Sequence, residues 1–466
     1  MFRILYQTTT AFCLLAVSSG ICLAQQELSS GVNPDDFSNS IAAGENFYEF
    51  INEGWLKNNP LPGDQSNYGV FTKLNDQTQE AVRALILAAA ASEDRPDGSD
   101  AQKVGDFFSS YSDVASRNQR GTEPIASMIE QVRDVSSKEE LALLMAKLSR
   151  MGISQPLGYY VSPDARDSSQ YAVYFSQHGT TLPDRDYYLE DDAMYKQVRE
   201  AFPKYVAKLL DAVGYPHPTQ SADAVLALET KLAEAQWTKV ENRDPIKTYN
   251  KVASDALAET LQNLKFDQFA SITDIDTEED FIVRQPSFFE AVNRLFDKVS
   301  LDDWKAYMAF HIADSMAPVL SEPIERMHFD FHDTVISGVA EQKPLWKRGV
   351  EATGGTLGEL VGKLYVKEYF TPEAKQRMNE LVDNLKAAFA LRIVQSEWMT
   401  PPTKKQALEK LSKFTTKIGY PDKWKDYDKL SIQPDDLAGN VLRSAEFEHA
   451  REVAKLAVRS TVPNGT

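Results

Sequence analysis

What a histidine can do depends on what stands one helical turn away. Of the six in this 466-residue chain (His178, His217, His311, His328, His332 and His449), only His328 and His332 have i, i+4 spacing, in Met327-His328-Phe329-Asp330-Phe331-His332. In a His-Glu-x-x-His arrangement that spacing puts two imidazoles on one helix face, and the glutamate beside the first is the general base of a metal-assisted hydrolysis. Here the position after the first histidine is Phe329, so the base is missing, and spacing identifies no third ligand. The pair therefore reads as structural, on a packed helix, with a zinc site as the lesser alternative. No catalytic residue and no metal ligand is assigned.

Other catalytic patterns are missing too. There is no Gly-x-Ser-x-Gly elbow, no phosphate-cradling glycine loop and no dinucleotide fingerprint. Acidic residues are so frequent that paired carboxylates cannot be picked out by spacing. Asp184-Arg185-Asp186 could be a catalytic cluster, but its charges fit better as a buried or hinge ion-pair network that orients chain segments.

The elements that must position these residues are mostly helical. Ser137-Lys138-Glu139-Glu140 is a capping box ahead of Leu141, Leu144, Met145 and Leu148. Ser300 with Asp303 opens a helix whose Trp304, Tyr307, Met308, His311 and Ile312 share a face. Thr371-Pro372 starts another, with Met378, Leu381, Val382, Leu385 and Phe389 in register, and Thr403 begins one carrying Ala407, Leu408, Leu411 and Phe414. Such faces need partners, so helices pack on helices. Strand signals are confined to Leu157 to Val161 and Tyr171 to Phe175, joined by a polar hairpin loop from Ser162 to Gln170. Breaks fall at 60–63, 92–100 and 216–218, and no internal repeat points to a solenoid. The expected fold class is mainly α with a small β-hairpin.

Composition narrows the function. Met1-Phe2-Arg3, the apolar run Ala11 to Val17 and the small residues before Gln25 read as an export signal over residues 1–24, cleaved after Ala24. The run is shorter than the roughly 20 apolar residues that span a bilayer. Ile21 before Cys22 is a poor fit to lipid-anchor processing, so no stable membrane anchor is expected. Both cysteines, Cys13 and Cys22, fall inside the signal, so the 442 residues left after cleavage carry no disulfide, thiolate site or cysteine nucleophile. With 68 acidic against 50 basic side chains the net charge is −18, and no basic run suits a phosphate backbone. Nucleic acid is not an expected partner.

A series of phrases then runs along the chain. Asn46-Phe47-Tyr48-Glu49-Phe50-Ile51-Asn52-Glu53-Gly54-Trp55-Leu56 precedes Asn59-Pro60-Leu61-Pro62 and Ser66-Asn67-Tyr68-Gly69-Val70-Phe71. Leu182-Pro183-Asp184-Arg185-Asp186-Tyr187-Tyr188, Arg243-Asp244-Pro245 and Tyr249-Asn250 follow. Trp346-Lys347-Arg348, Leu357-Gly358, Val361-Gly362-Lys363-Leu364-Tyr365-Val366, Trp398-Met399, Thr403-Lys404 and Lys417-Ile418-Gly419-Tyr420-Pro421-Asp422 complete the series. In this order, over residues about 34 to 450, they resemble the N-terminal region of the neprilysin, endothelin-converting enzyme and PepO family of zinc metalloendopeptidases.

The resemblance implies a two-lobed, α-rich enzyme enclosing a chamber that admits peptides, with residues 25–466 forming the helical covering region. Zinc belongs to the complete family enzyme, held by a later lobe with an Asn-Ala-Tyr-Tyr strand, a His-Glu-x-x-His helix and a glutamate ligand. None of these occurs here, so no cofactor is expected in this chain. The expected reading is a truncated, exported (periplasmic or secreted) peptidase region, inactive alone, whose partners are peptides and the missing lobe or a complementary chain. The alternatives are a non-catalytic exported peptide-binding or regulatory module, and a generic helical scaffold.

Two departures from the family follow from the resemblance. In neprilysin an arginine between the serine and the Tyr-Gly grips the substrate's free carboxylate. Asn67 stands there, and a charge-assisted bond is lost. Gly349 replaces a disulfide cysteine of animal relatives, which suits a bacterial-type member. Trp55, Trp346 and Trp398 read most simply as core anchors. Gly54, Gly69, Gly362 and Gly419 read as sites of close approach or unusual backbone angle.

Overall fold

The structure, a computed structural model, describes residues 32–93 and 95–457. The expected signal, both cysteines and the terminal loop 462–466 lie outside the described residues. Two compact units are separated at Leu61 and Pro62. In the first, Asn46 caps the helix Phe47–Asn58 by accepting from the Glu49 N–H at 3.1 Å. Gly54 lets that helix lie against the Pro34–Asp36 turn, since a Cβ there would sit 2.5 Å from the Asp35 carbonyl oxygen.

The second unit is built around the helix Leu301–Met316. Ser300 accepts from the Asp303 N–H as its cap, and Trp304, Tyr307, Met308, His311 and Ile312 are all buried. Ala306, Ala309, Phe310 and Ala313 are buried as well, so this is a central helix covered on all sides and not an amphipathic one. Against it pack Ala193–Ala212, Pro218–Ala235 and Pro286–Lys298. The predicted hairpin is present as β1 (Leu157–Pro163) and β2 (Tyr171–Gln177), antiparallel with Tyr160 opposite Tyr174. Two strands unforeseen in the sequence extend it: β3 (Asn250–Ala253) and β4 (Asp280–Val283). The sheet order is β1-β2-β4-β3, with β2 and β4 parallel. Val173, Phe175, Phe281 and Val283 enter the main core. Ala172, Tyr174 and Ile282 point the other way, where Tyr249 covers them.

A second core joins distant stretches of chain. Ile86, Val104, Phe107, Phe108 and Tyr111 meet Val350, Leu357 and Leu360 of the helix Leu345–Tyr369, together with Tyr427, Leu430, Ile432 and Leu437.

Several local expectations need correction. Glu140 does not close the capping box on Ser137 but reaches back to the backbone N–H of Ser136 at 2.8 Å. The helix expected from Thr403 is Pro401–Ser412, capped by Thr400, because two prolines fit its first turn. Trp398 is no core anchor: it is 79% exposed, while Trp55 and Trp346 are half-buried. Gly419 has φ +73°, but Gly69 is extended with open space beside it and Gly362 meets only ordinary contact.

Candidate functional site

The two spaced histidines do lie together, and the fold brings them a third group. His328 is in the last turn of the helix Glu322–Phe329, and His332 is in the π-helical segment Asp330–Ile336 that continues it. Their rings stack at 4.1 Å between centroids. From the central helix, Asp314 presents its carboxylate to His332, with Nε2 to Oδ1 at 2.9 Å. Tyr205 donates its hydroxyl to the same oxygen at 2.6 Å, and its ring stacks on Phe331. One donor atom from each of Asp314, His328 and His332 lies within 4.8 Å of the others.

The electrostatics follow from this packing. Burial works against ionisation of Asp314, but the His332 hydrogen bond and the nearby imidazoles outweigh it, and its pKa falls to about 2. Burial is the largest influence on His328 and like-charge repulsion from His332 adds to it. Together they overcome the attraction of Asp314 and Glu325, and its pKa drops to about 4.

His328 also lines a cavity of about 460 Å³ shared with Ser66, Glu325, Asp333, Arg348 and Glu351. Glu325 is committed elsewhere. It accepts from Arg117 at 2.8 Å and from the Tyr111 hydroxyl at 3.0 Å, and it also pairs with Arg348. Burial first, and then the Glu325 charge, raises the Tyr111 hydroxyl far above its ordinary pKa. The cluster is a clamp between helices, a buried carboxylate held by two guanidiniums and a tyrosine hydroxyl.

Asn67 is exposed in the segment before the helix Val70–Ala91, next to the cavity-lining Ser66. Asp184 pairs with Lys239 and accepts from the Asp186 N–H at 2.8 Å, while Arg185 donates to the Ala233 carbonyl. These contacts orient a turn against neighbouring helices, as an ion-pair network does. Asp314 and Tyr205 come from other helices and so lie beyond any spacing rule.

The fold is a many-helix domain with a small mixed sheet, a clamped cluster of charged residues and a His-His-Asp grouping. Residues 43–421 match the model for peptidase family M13. The chain belongs to that family. It is 26% identical over 442 residues to endothelin-converting enzyme-like 1 of Mus musculus, covering 90% of this chain and 56% of the relative. To the neutral endopeptidase of Lactobacillus helveticus it is 26% identical over 395 residues, covering 84% and 61%. Its backbone superposes on the zinc metalloprotease Zmp1 of Mycobacterium tuberculosis, solved in complex with an inhibitor, with a TM-score of 0.86 and 34% identity. That match covers 92% of this chain and 65% of the other. The chain thus spans between about half and two thirds of the length of these relatives. The His-Glu-x-x-His pattern, the zinc-hydrolase arrangement, occurs nowhere in the 466 residues, and buried Phe329 stands where its glutamate would follow His328.

Proposed function

We propose that this chain is the substrate-chamber region of an exported neprilysin-type zinc endopeptidase acting on peptides, and that alone it hydrolyses none. The observation that carries this reading is the helix Pro372–Gln395. None of its 24 residues is buried, yet Met378, Leu381, Leu385 and Phe389 form an apolar stripe at helical spacing, and exposed Trp398 and Phe414 follow. An apolar stripe of this size on a folded protein marks a surface that another body covers. A zinc-bearing lobe, in the same polypeptide or a complementary chain, is the occupant that family membership suggests.

Export rests on the residue 1–24 signal. Among the described residues no helix is long and apolar enough to cross a membrane.

The test is cleavage of a quenched peptide by purified residues 25–466, with and without chelator. No chelator-sensitive cleavage is expected. Cleavage abolished by chelator overturns the reading. Asn67 in place of the family's arginine implies weak preference for a free C-terminus in the complete enzyme. There Asn67→Arg should favour free-carboxylate over amidated substrates by roughly tenfold or more, the scale of a charge-assisted hydrogen bond. Equal rates on the two substrates would sink the idea.

A further inference from the structure

An Asp–His ion pair accounts for Asp314 and His332 but leaves His328 unexplained. Its ring lies against the His332 imidazole and faces the 460 Å³ cavity. The packing thus gathers two imidazoles and a carboxylate at one point, and a cation shared by all three groups gives that grouping a purpose.

We propose that Asp314, His328 and His332 form a binding site for a divalent transition-metal ion, distinct from the family's catalytic zinc. Two imidazole nitrogens and one carboxylate oxygen are a donor set that zinc accepts and that magnesium and calcium do not favour. In a tetrahedral zinc site, donors about 2.0–2.1 Å from the ion stand about 3.3 Å apart. Here His332 and Asp314 are 2.9 Å apart and the whole set fits within 4.8 Å, so small side-chain rotations complete the geometry. The Tyr205 hydroxyl orients the carboxylate from behind, as outer-shell groups do at metal sites. The His328 side opens on the 460 Å³ cavity, which leaves room for water as the fourth ligand. π-helical turns recur at functional sites, and this one carries His332. The ion would tie the Glu322–Phe329 helix and its π-helical continuation to the central helix. Glu325 on the same cavity wall is locked between Arg117 and Arg348, so it is not a ligand, and the ion's role assigned here is to join helices.

The experiment uses residues 25–466 stripped with chelator and titrated with zinc sulfate or cobalt chloride at pH 7.5. One equivalent should bind, cobalt should give the visible absorption of a tetrahedral site, and excess magnesium should not displace it. His328→Gln should weaken binding at least tenfold, whereas His217→Gln, at an exposed histidine in a separate turn, should not. Should His328→Gln fail to fold, X-ray absorption of the zinc-loaded wild type decides, with two imidazoles in the ligand shell expected. No saturable binding, displacement by magnesium, unaltered affinity in folded His328→Gln, or fewer than two imidazoles each overturns the proposal. Zinc uptake without peptide cleavage separates this site from the peptidase reading.

Discussion

Protonation of His328 sets a pH dependence that the metal-free protein should show. Its pKa is about 4 in the fold against 6.5 when unperturbed, so between those values the unfolded chain binds more protons than the folded one. Stability from this group is complete above pH 6.5 and is lost as pH falls toward 4. Asp314, lowered from 3.8 to about 2, extends the loss below pH 3.8. Partial exposure reduces the His328 effect to roughly 1–3 kcal/mol. With chelator present, the urea midpoint of the wild type should fall more between pH 7 and pH 4.5 than that of His328→Gln. Parallel slopes would show that His328 titrates normally. At this scale the sequence made half the cluster legible, because an i, i+4 pair is a local pattern. Asp314 and Tyr205 were not, because only tertiary packing brings the central helix and Ala193–Ala212 to the two histidines.

Elements were legible where cap and periodicity agreed. Ser300 with Asp303 and Thr371 with Pro372 both start helices where their side chains indicate. β3 and β4 escaped because four residues are too few to display an alternation, and partners far along the chain supply their pairing. Periodicity also cannot say what a face meets. The stripes of Leu301–Met316 and Pro372–Gln395 look alike in sequence, yet one is enclosed and the other exposed. That difference is testable. Leu385→Asp with Phe389→Ser should change the unfolding free energy of the isolated chain by less than about 0.5 kcal/mol, as exposed substitutions do. The same pair should reduce self-association and dye binding measured by light scattering and fluorescence. A large loss of stability would mean that the stripe is packed within this chain, and the case for another body covering it would fail with it.

At the scale of the whole molecule, the family match ends at residue 421 but the second core does not. Tyr427, Leu430, Ile432 and Leu437 are buried there against Phe107, Phe108 and Val361. The same stretch supplies polar partners to buried groups of the helix Asp100–Ser112. Lys103, 1% exposed, donates its ammonium to the Tyr427 carbonyl at 2.7 Å, and Gln102 donates to the Ile432 carbonyl at 3.0 Å. Ending the chain at Pro421 removes four apolar side chains worth about 1.5–3 kcal/mol each at most and leaves a buried ammonium unpaired. The sum rivals the 5–15 kcal/mol that holds a typical domain together. A chain of residues 25–421 should therefore lose the Asp100–Ser112 and Leu345–Tyr369 packing, while the main core around Leu301–Met316 persists. Hydrogen exchange reads the two regions separately: fast exchange in 100–112 and 345–369 with protection retained in 301–316 is expected. Equal protection throughout would show that residues 422–457 are dispensable, and the folding unit would then coincide with the family match.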